Sequence, residues 1–220
     1  GRGMAVIMDI VLNHSYNSNP LVRLYWNSTN NQPAANNPWF NVTTPHYYSF
    51  GGSDFNHESS ATKAFVDSVC HYWIDEFRFD GFRFDFTKGF TNKTSNNDYT
   101  VSAYDASRIA ILKRMSDKIR AYKPDALLIL EHFADNTEER ELAAYDFLLW
   151  GNGKWRYQDA STGKSSDLSD TSWKLLGFDR PGIVDYMESH DQERIMYLNV
   201  MDGLADGGYN IRDFNTAIKR

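Results

Sequence analysis

Residues Ala61 to Phe77 followed by Gly81-Phe82-Arg83-Phe84-Asp85 read as a helix that hands the chain to a short strand ending on an acid. Apolar positions recur at i, i+4 and i+8 through the first part, one buried helical face, and the second is a short apolar run of strand length. Working outward, Met4-Ala5-Val6-Ile7-Met8-Asp9-Ile10-Val11 is an apolar run broken by one acid, as expected of a strand buried on both faces of a parallel sheet. Downstream, Ser102 to Tyr122 carries Ile109, Leu112, Met115 and Ile119 on a helical stripe that Pro124 ends. Ala126 to Glu131 then reads as a strand, Thr137 to Tyr145 as a short helix, Asp146 to Trp150 as a strand, and Gly182 to Met187 as one more. Gln192 onward is expected to be helical up to a break at Gly207-Gly208. Strands alternating with helices mean a parallel sheet with right-handed crossovers.

Two stretches fall outside this rhythm. Residues 15 to 60 are rich in Asn, Ser, Pro, Gly and aromatics without periodicity and are too long for a plain connection. They are expected to form an inserted irregular subdomain, with residues 1-14 and 61-220 forming the βα part. Gly151 to Ser172 is polar and is expected to be a connection.

The 220 residues are 41% hydrophobic and 24% charged, which suits an ordinary globular domain able to bury a core. A net charge of -6 without any Lys/Arg run argues against nucleic acid or an anionic membrane surface as the main partner. Aromatic residues make up 15% of the chain, which suits an amphipathic ligand such as a sugar and equally suits an aromatic core. Cys70, the single cysteine, sits among Phe65, Val66, Val69, Trp73 and Phe77 at helical spacing and reads as a packed core thiol. No apolar stretch reaches membrane-span length and Gly1 opens without a charged-then-apolar leader, so localisation stays open.

The strand-like runs end in polar or charged residues: Asp9 through His14, Arg83 and Asp85, Glu131, and His190-Asp191. In a (β/α)8 TIM-type barrel those ends converge on the face where active sites are built. Any one of them could instead cap a helix or pair with a nearby Arg. Four such clusters in one βα series favour function.

Asp9-Ile10-Val11-Leu12-Asn13-His14, Gly81-Phe82-Arg83-Phe84-Asp85, the strand ending in Glu131, and Ser189-His190-Asp191 resemble the four signature segments of the α-amylase superfamily, in the family's order. The resemblance implies that these segments end the third, fourth, fifth and seventh strands of the barrel, and that residues 15 to 60 are the family's small domain after the third strand. It implies a retaining glycoside hydrolase acting on α-glucosidic bonds of starch, glycogen or malto-oligosaccharides. Such chemistry needs one carboxylate to attack the anomeric carbon and one carboxylic acid to protonate the departing oxygen, about 5 to 5.5 Å apart. By motif position Asp85 is the nucleophile, Glu131 the general acid/base and Asp191 the carboxylate that grips the distorted sugar. Arg83, two residues before Asp85 on the same strand face, is expected to keep that nucleophile ionised.

The same resemblance makes His14 and His190 donors to sugar hydroxyls, Asp9 the acid that orients the Arg, and Lys88 a contact on the leaving-group side. Many amylases carry His after that Lys, where this chain has Gly89. Asn13 resembles a calcium ligand of the family, with Asp54 a further candidate by location only. No organic cofactor is implied. Two other readings stay open, an α-glucan transglycosylase of branching type and a non-catalytic, carbohydrate-binding amylase-like fragment. Retention of all three carboxylates favours an enzyme over the last. By the family order the first, second and eighth strands fall outside these residues. An open five-strand sheet with unpaired edges is therefore expected, completed by missing parent segments or another copy, and weak or inactive by itself.

Overall fold

A computed structural model describes residues 3–151, 153–206 and 209–217. Gly1, Arg2, the expected break at Gly207-Gly208 and the last three residues lie outside the described residues. The chain divides into two compact units, the first ending at Leu149 and the second beginning at Trp150.

In the first unit, β1 (Ile7–Ile10) leads into the irregular segment, which holds β2 (His14–Ser15), α1 (Pro20–Arg23), β3 (Trp26–Asn27), β4 (Gln32–Pro33) and β5 (Ser53–Asp54). β2 pairs with β5 and β3 with β4, both antiparallel. Val22, Phe40 and Phe55 form a small core there, flanked by Leu21, Trp26, Trp39 and by Phe65 of the following helix. The abundant Asn residues close its turns: Asn37 accepts from the Trp39 and Phe40 N–H groups and donates to the Leu21 carbonyl.

α2 (Ser60–Phe77) starts where the Ser59 hydroxyl accepts from Ala61 N and buries Thr62, Val66, Cys70 and Ile74, one residue per four along one face. It stops at Arg78, which takes a left-handed conformation (φ 59°) and donates its N–H to the Ile74 carbonyl. Cys70 is fully buried, and burial pushes its thiol up to about 12.

β6 (Gly81–Phe84) follows and is buried at every residue. It pairs in parallel with β1 on one side and β7 (Leu127–Leu130) on the other, with Asp9, Arg83 and Ile129 in line across the three strands. A Cβ on Gly81 would stand 1.8 Å from the Leu127 carbonyl oxygen, so only glycine lets the strands approach this closely. β1 is an edge strand and is not buried on both faces as its apolar run suggests: Ile7, Met8 and Ile10 are half-buried and Asp9 is exposed.

A short, unexpected α3 (Asp98–Ser102) precedes the helix expected from Ser102, which begins later, as α4 (Ala106–Arg120). Ala103 turns extended and Asp105 caps α4 by accepting from Ser107 N and Arg108 N, the competition between Asp side chain and helical backbone that splits helices. After β7 come α5 (Asn136–Ala144), capped by Asp135, and β8 (Leu148–Trp150). Leu112, Met115, Ile119, Leu128, Leu130, Leu142 and Leu149 are among the fully buried side chains, each contributing roughly 1.5–3 kcal/mol by leaving water.

The second unit holds α6 (Lys154–Ser161), β9 (Ile183–Val184), α7 (Ile195–Asp202), the hairpin β10 (Ala205–Asp206) with β11 (Tyr209–Asn210), and α8 (Phe214–Ala217). Gly151 N donates to the Val184 carbonyl, which ties the start of this unit to β9. α6 lies in the polar stretch expected to be a connection: only Ser161 of its residues is buried, so it carries no apolar stripe to betray it. Among the described residues no helix is long and apolar enough to cross a membrane.

Candidate active site

Parallel pairing brings the C-terminal ends of β1, β6 and β7 side by side. Asp85 N donates to the Ile10 carbonyl and Glu131 N to the Phe84 carbonyl, so both acids continue the ladder one residue past their strands. Arg83, with 5% of its side chain exposed, binds three carboxylates: Nη1 lies 2.9 Å from Asp9 Oδ1 and 2.8 Å from Asp85 Oδ1, and Nη2 lies 3.1 Å from Glu131 Oε1. Burial would by itself lower the Arg83 pKa, but the Glu131, Asp9 and Asp85 charges outweigh it and raise it.

Glu131 is pushed above the usual carboxylate range, chiefly by burial, with the negative charge of Asp85 adding to it. The Phe86 N–H, which donates to Glu131 Oε2 at 2.9 Å, and Arg83 act the other way. Asp85 is thus ion-paired to arginine beside a second carboxyl whose burial favours its protonated form.

The remaining motif residues of the first unit gather nearby. His14 stacks on Phe50, ring centroids 4.9 Å apart, and its pKa is lowered, first by burial, against the raising charges of Asp85 and Asp54. Lys88 is buried, with its ammonium 3.1 Å from Asp98 Oδ1, 3.3 Å from Ser102 Oγ, and over the rings of Tyr48 and Phe86. In the second unit, His190 Nε2 lies 3.4 Å from Asp191 Oδ1, and both side chains are exposed. They line a pocket of ≈ 470 Å³ with Trp155, Gln158, Gln192, Glu193 and Leu198.

Calcium fits this donor set poorly. Asn13 Oδ1 is buried without a hydrogen-bond partner among the described residues, which alone would suit a cation. Asp54, however, already accepts at Oδ1 from His46 Nε2 at 3.0 Å and at Oδ2 from Asn41 Nδ2 at 2.7 Å. The backbone of Gly89 also closes on Asn13, for a Cβ there would lie 2.0 Å from Oδ1. One vacant oxygen is far from the six to eight that calcium takes, and no cluster of three His, Cys, Asp or Glu suited to a metal occurs among the described residues.

Several residues of the site escaped the sequence reading. Phe86 supplies its backbone N–H from a left-handed conformation (φ 44°), and Thr87, His132, Glu138 and Arg108 lie buried behind Glu131. A signal did exist for two of them. Arg108 stands on the same stripe as Leu112, Met115 and Ile119, and Glu138 on that of Leu142, and a charge on an apolar stripe points to a buried partner.

A parallel βα sheet with acids at the strand ends is part of a (β/α)8 barrel. The family model "Alpha amylase, catalytic domain" matches residues 25–205, and the chain belongs to the α-amylase family. The chain is 36% identical over 89 residues to isoamylase SU1 of Zea mays, covering 38% of this chain and 10% of that protein. It is 27% identical over 141 residues to the 1,4-alpha-glucan-branching enzyme of Solanum tuberosum, covering 59% of this chain and 16% of that protein. Among solved structures, an α-amylase of Anoxybacillus has a similar fold, with a TM-score of 0.65 and 19% identity over 91% of this chain and 43% of that one. The chain thus spans a tenth to a sixth of the length of these two sequence relatives.

Proposed function

We propose that the chain carries the catalytic core of a retaining enzyme that cleaves or transfers α-glucosidic bonds. The single observation that carries this reading is the Arg83 guanidinium set between Asp85 and Glu131, with Glu131 pushed above the usual carboxylate range. Glu131 gives its proton to the glycosidic oxygen while an Asp85 oxygen bonds to the anomeric carbon and the leaving sugar departs with that proton. The Glu131 carboxylate then takes a proton from water, whose oxygen displaces Asp85 and restores the original anomeric configuration. If an acceptor sugar hydroxyl replaces water, the same two steps make a transglycosylase. The relatives named isoamylase and branching enzyme support an α-glucan as substrate and leave both outcomes available.

Asp191 is assigned as the third carboxylate, and His14 and His190 as donors to sugar hydroxyls. Asp9 orients Arg83, an assignment supported by their 2.9 Å contact. Lys88 belongs to the leaving-group side, where the exposed carboxylate of Asp98 beside it offers a further acceptor. The test is the product profile of the protein on amylose and on a branched glucan, with Asp85→Asn as control. Asp85→Asn removes the nucleophile while keeping its shape, so turnover should fall by several powers of ten, on the order of 10⁴-fold, with the fold kept. Cleavage retained in that variant would remove Asp85 from the role.

A further inference from the structure

Behind Glu131 lies a second set of polar side chains that the two-step chemistry does not use. Arg108, Glu138, His132 and Thr87 are all at most 1% exposed. Arg108 grips Glu138 with two parallel bonds, Nε to Oε1 and Nη2 to Oε2, both 2.7 Å, and donates further to the carbonyls of Lys88, Val101 and Ala103. The second Glu138 oxygen also accepts from Asp105 N. Although burial opposes it, these donors hold the Glu138 carboxyl below its ordinary value, so it is ionised and accepts only.

That charge fixes the state of His132. Its Nε2 lies 2.9 Å from Glu138 Oε1 and must therefore carry the proton. Burial keeps the ring from taking a second proton, which leaves Nδ1 as an acceptor, and the donor it meets at 2.9 Å is the Thr87 hydroxyl. The one Thr87 hydroxyl proton is shared between His132 Nδ1 and the Glu131 carbonyl, 3.0 Å away, to which Thr87 N donates at 2.8 Å. One residue earlier, Phe86 stands in a left-handed conformation, strained for a residue with a side chain, and its N–H reaches Glu131 Oε2.

We propose that Thr87 and His132, braced by Glu138 and Arg108, are positioning residues that hold the Phe86–Thr87 backbone against Glu131 and so fix the acid/base in its working geometry. The catalytic consequence rests on the role proposed above for Glu131, but the geometry does not. Loss of the Thr87 hydroxyl releases the turn from His132, Phe86 relaxes, and its N–H leaves Glu131. The carboxylate then has one donor fewer, while Arg83 and Asp85 remain beside it.

The experiment follows the Glu131 side-chain carboxyl by carbon-13 NMR titration in this chain and in its Thr87→Val and Thr87→Ser variants. Losing a donor to the charged form must move the Glu131 midpoint upward in Thr87→Val, and Thr87→Ser should restore it. An unchanged midpoint in Thr87→Val overturns the proposal even if the variant is less stable. If Thr87→Val does not fold, nitrogen-15 shifts of His132 in the unaltered chain decide. Nε2–H with a hydrogen-bonded, unprotonated Nδ1 supports the relay, and an Nδ1–H or doubly protonated ring overturns it. In glucan cleavage, Thr87→Val should lower kcat about tenfold with KM changed less than about twofold. If the unaltered protein cleaves no α-glucan, as an open sheet would allow, the titration alone judges the positioning.

Discussion

Arg83 Nη2 stands 3.1 Å from Glu131 Oε1 while its Nη1 stands 2.8 Å from Asp85 Oδ1, so one guanidinium touches both the proposed acid/base and the proposed nucleophile. One planar cation thereby sets the spacing of two carboxyls from adjacent strands, which a point charge on a flexible stem cannot do.

Arg83→Lys should therefore cost more than a conservative exchange implies. Turnover is expected to fall about a hundredfold or more. The alkaline limb of the pH–rate profile should also move up, because Glu131 loses the nearby guanidinium that partly lowers its pKa. Steady-state rates across pH for both proteins check this, and an unchanged limb would contradict it.

The raised Glu131 pKa carries a sign for both activity and stability. A general acid must hold its proton, so the rate should fall as pH rises through the raised folded value. For stability, the folded state holds this proton more tightly than the unfolded state. Its contribution is therefore present at low pH and lost as pH rises from the ordinary carboxylate range through the folded value. Glu131→Gln should lower turnover by about 10²- to 10⁴-fold yet melt higher than the parent above that window. A lower melting temperature there would refute the linkage.

His57 predicts the opposite limb. It is buried, donates Nε2–H to the Leu12 carbonyl, stacks on Phe90 and is pulled down to about 4, first by burial and slightly by Arg114. The unfolded chain takes up a proton near the ordinary value of 6.5 while the folded chain refuses it until about 4. Stability should therefore drain away as pH falls across that window, by on the order of 3 kcal/mol. Denaturant melts between these pH values should show the slope, and His57→Gln should flatten it.

Gly81→Ala tests the strand approach. Its Cβ would meet the Leu127 carbonyl, backbone that cannot rotate away, so β6 and β7 must separate. A loss of about 2 kcal/mol or more is expected, with a melting temperature lower by several degrees. A neutral effect would mean that the two strands are not held at this spacing.

By itself the amino-acid sequence determined the βα alternation, the strand-end acids and the family. Each is carried by neighbours in sequence: apolar periodicity along Ser60–Phe77, a short apolar run ending at Asp85, and four motifs in a recognisable order. Element ends were less legible, as at Asp105, because a side-chain cap competes with the helix over two or three residues. Tertiary structure alone decided what surrounds those acids. The Thr87–His132 and Phe86–Glu131 contacts join residues 45 apart, and Arg108–Glu138 residues 30 apart. Local pattern says that a charge such as Arg108 on a buried stripe must have a partner, since an unpaired charge cannot stay out of water. Which partner it has is settled only when α4 and α5 pack together, and only then does the left-handed turn at Phe86 aim its N–H at Glu131.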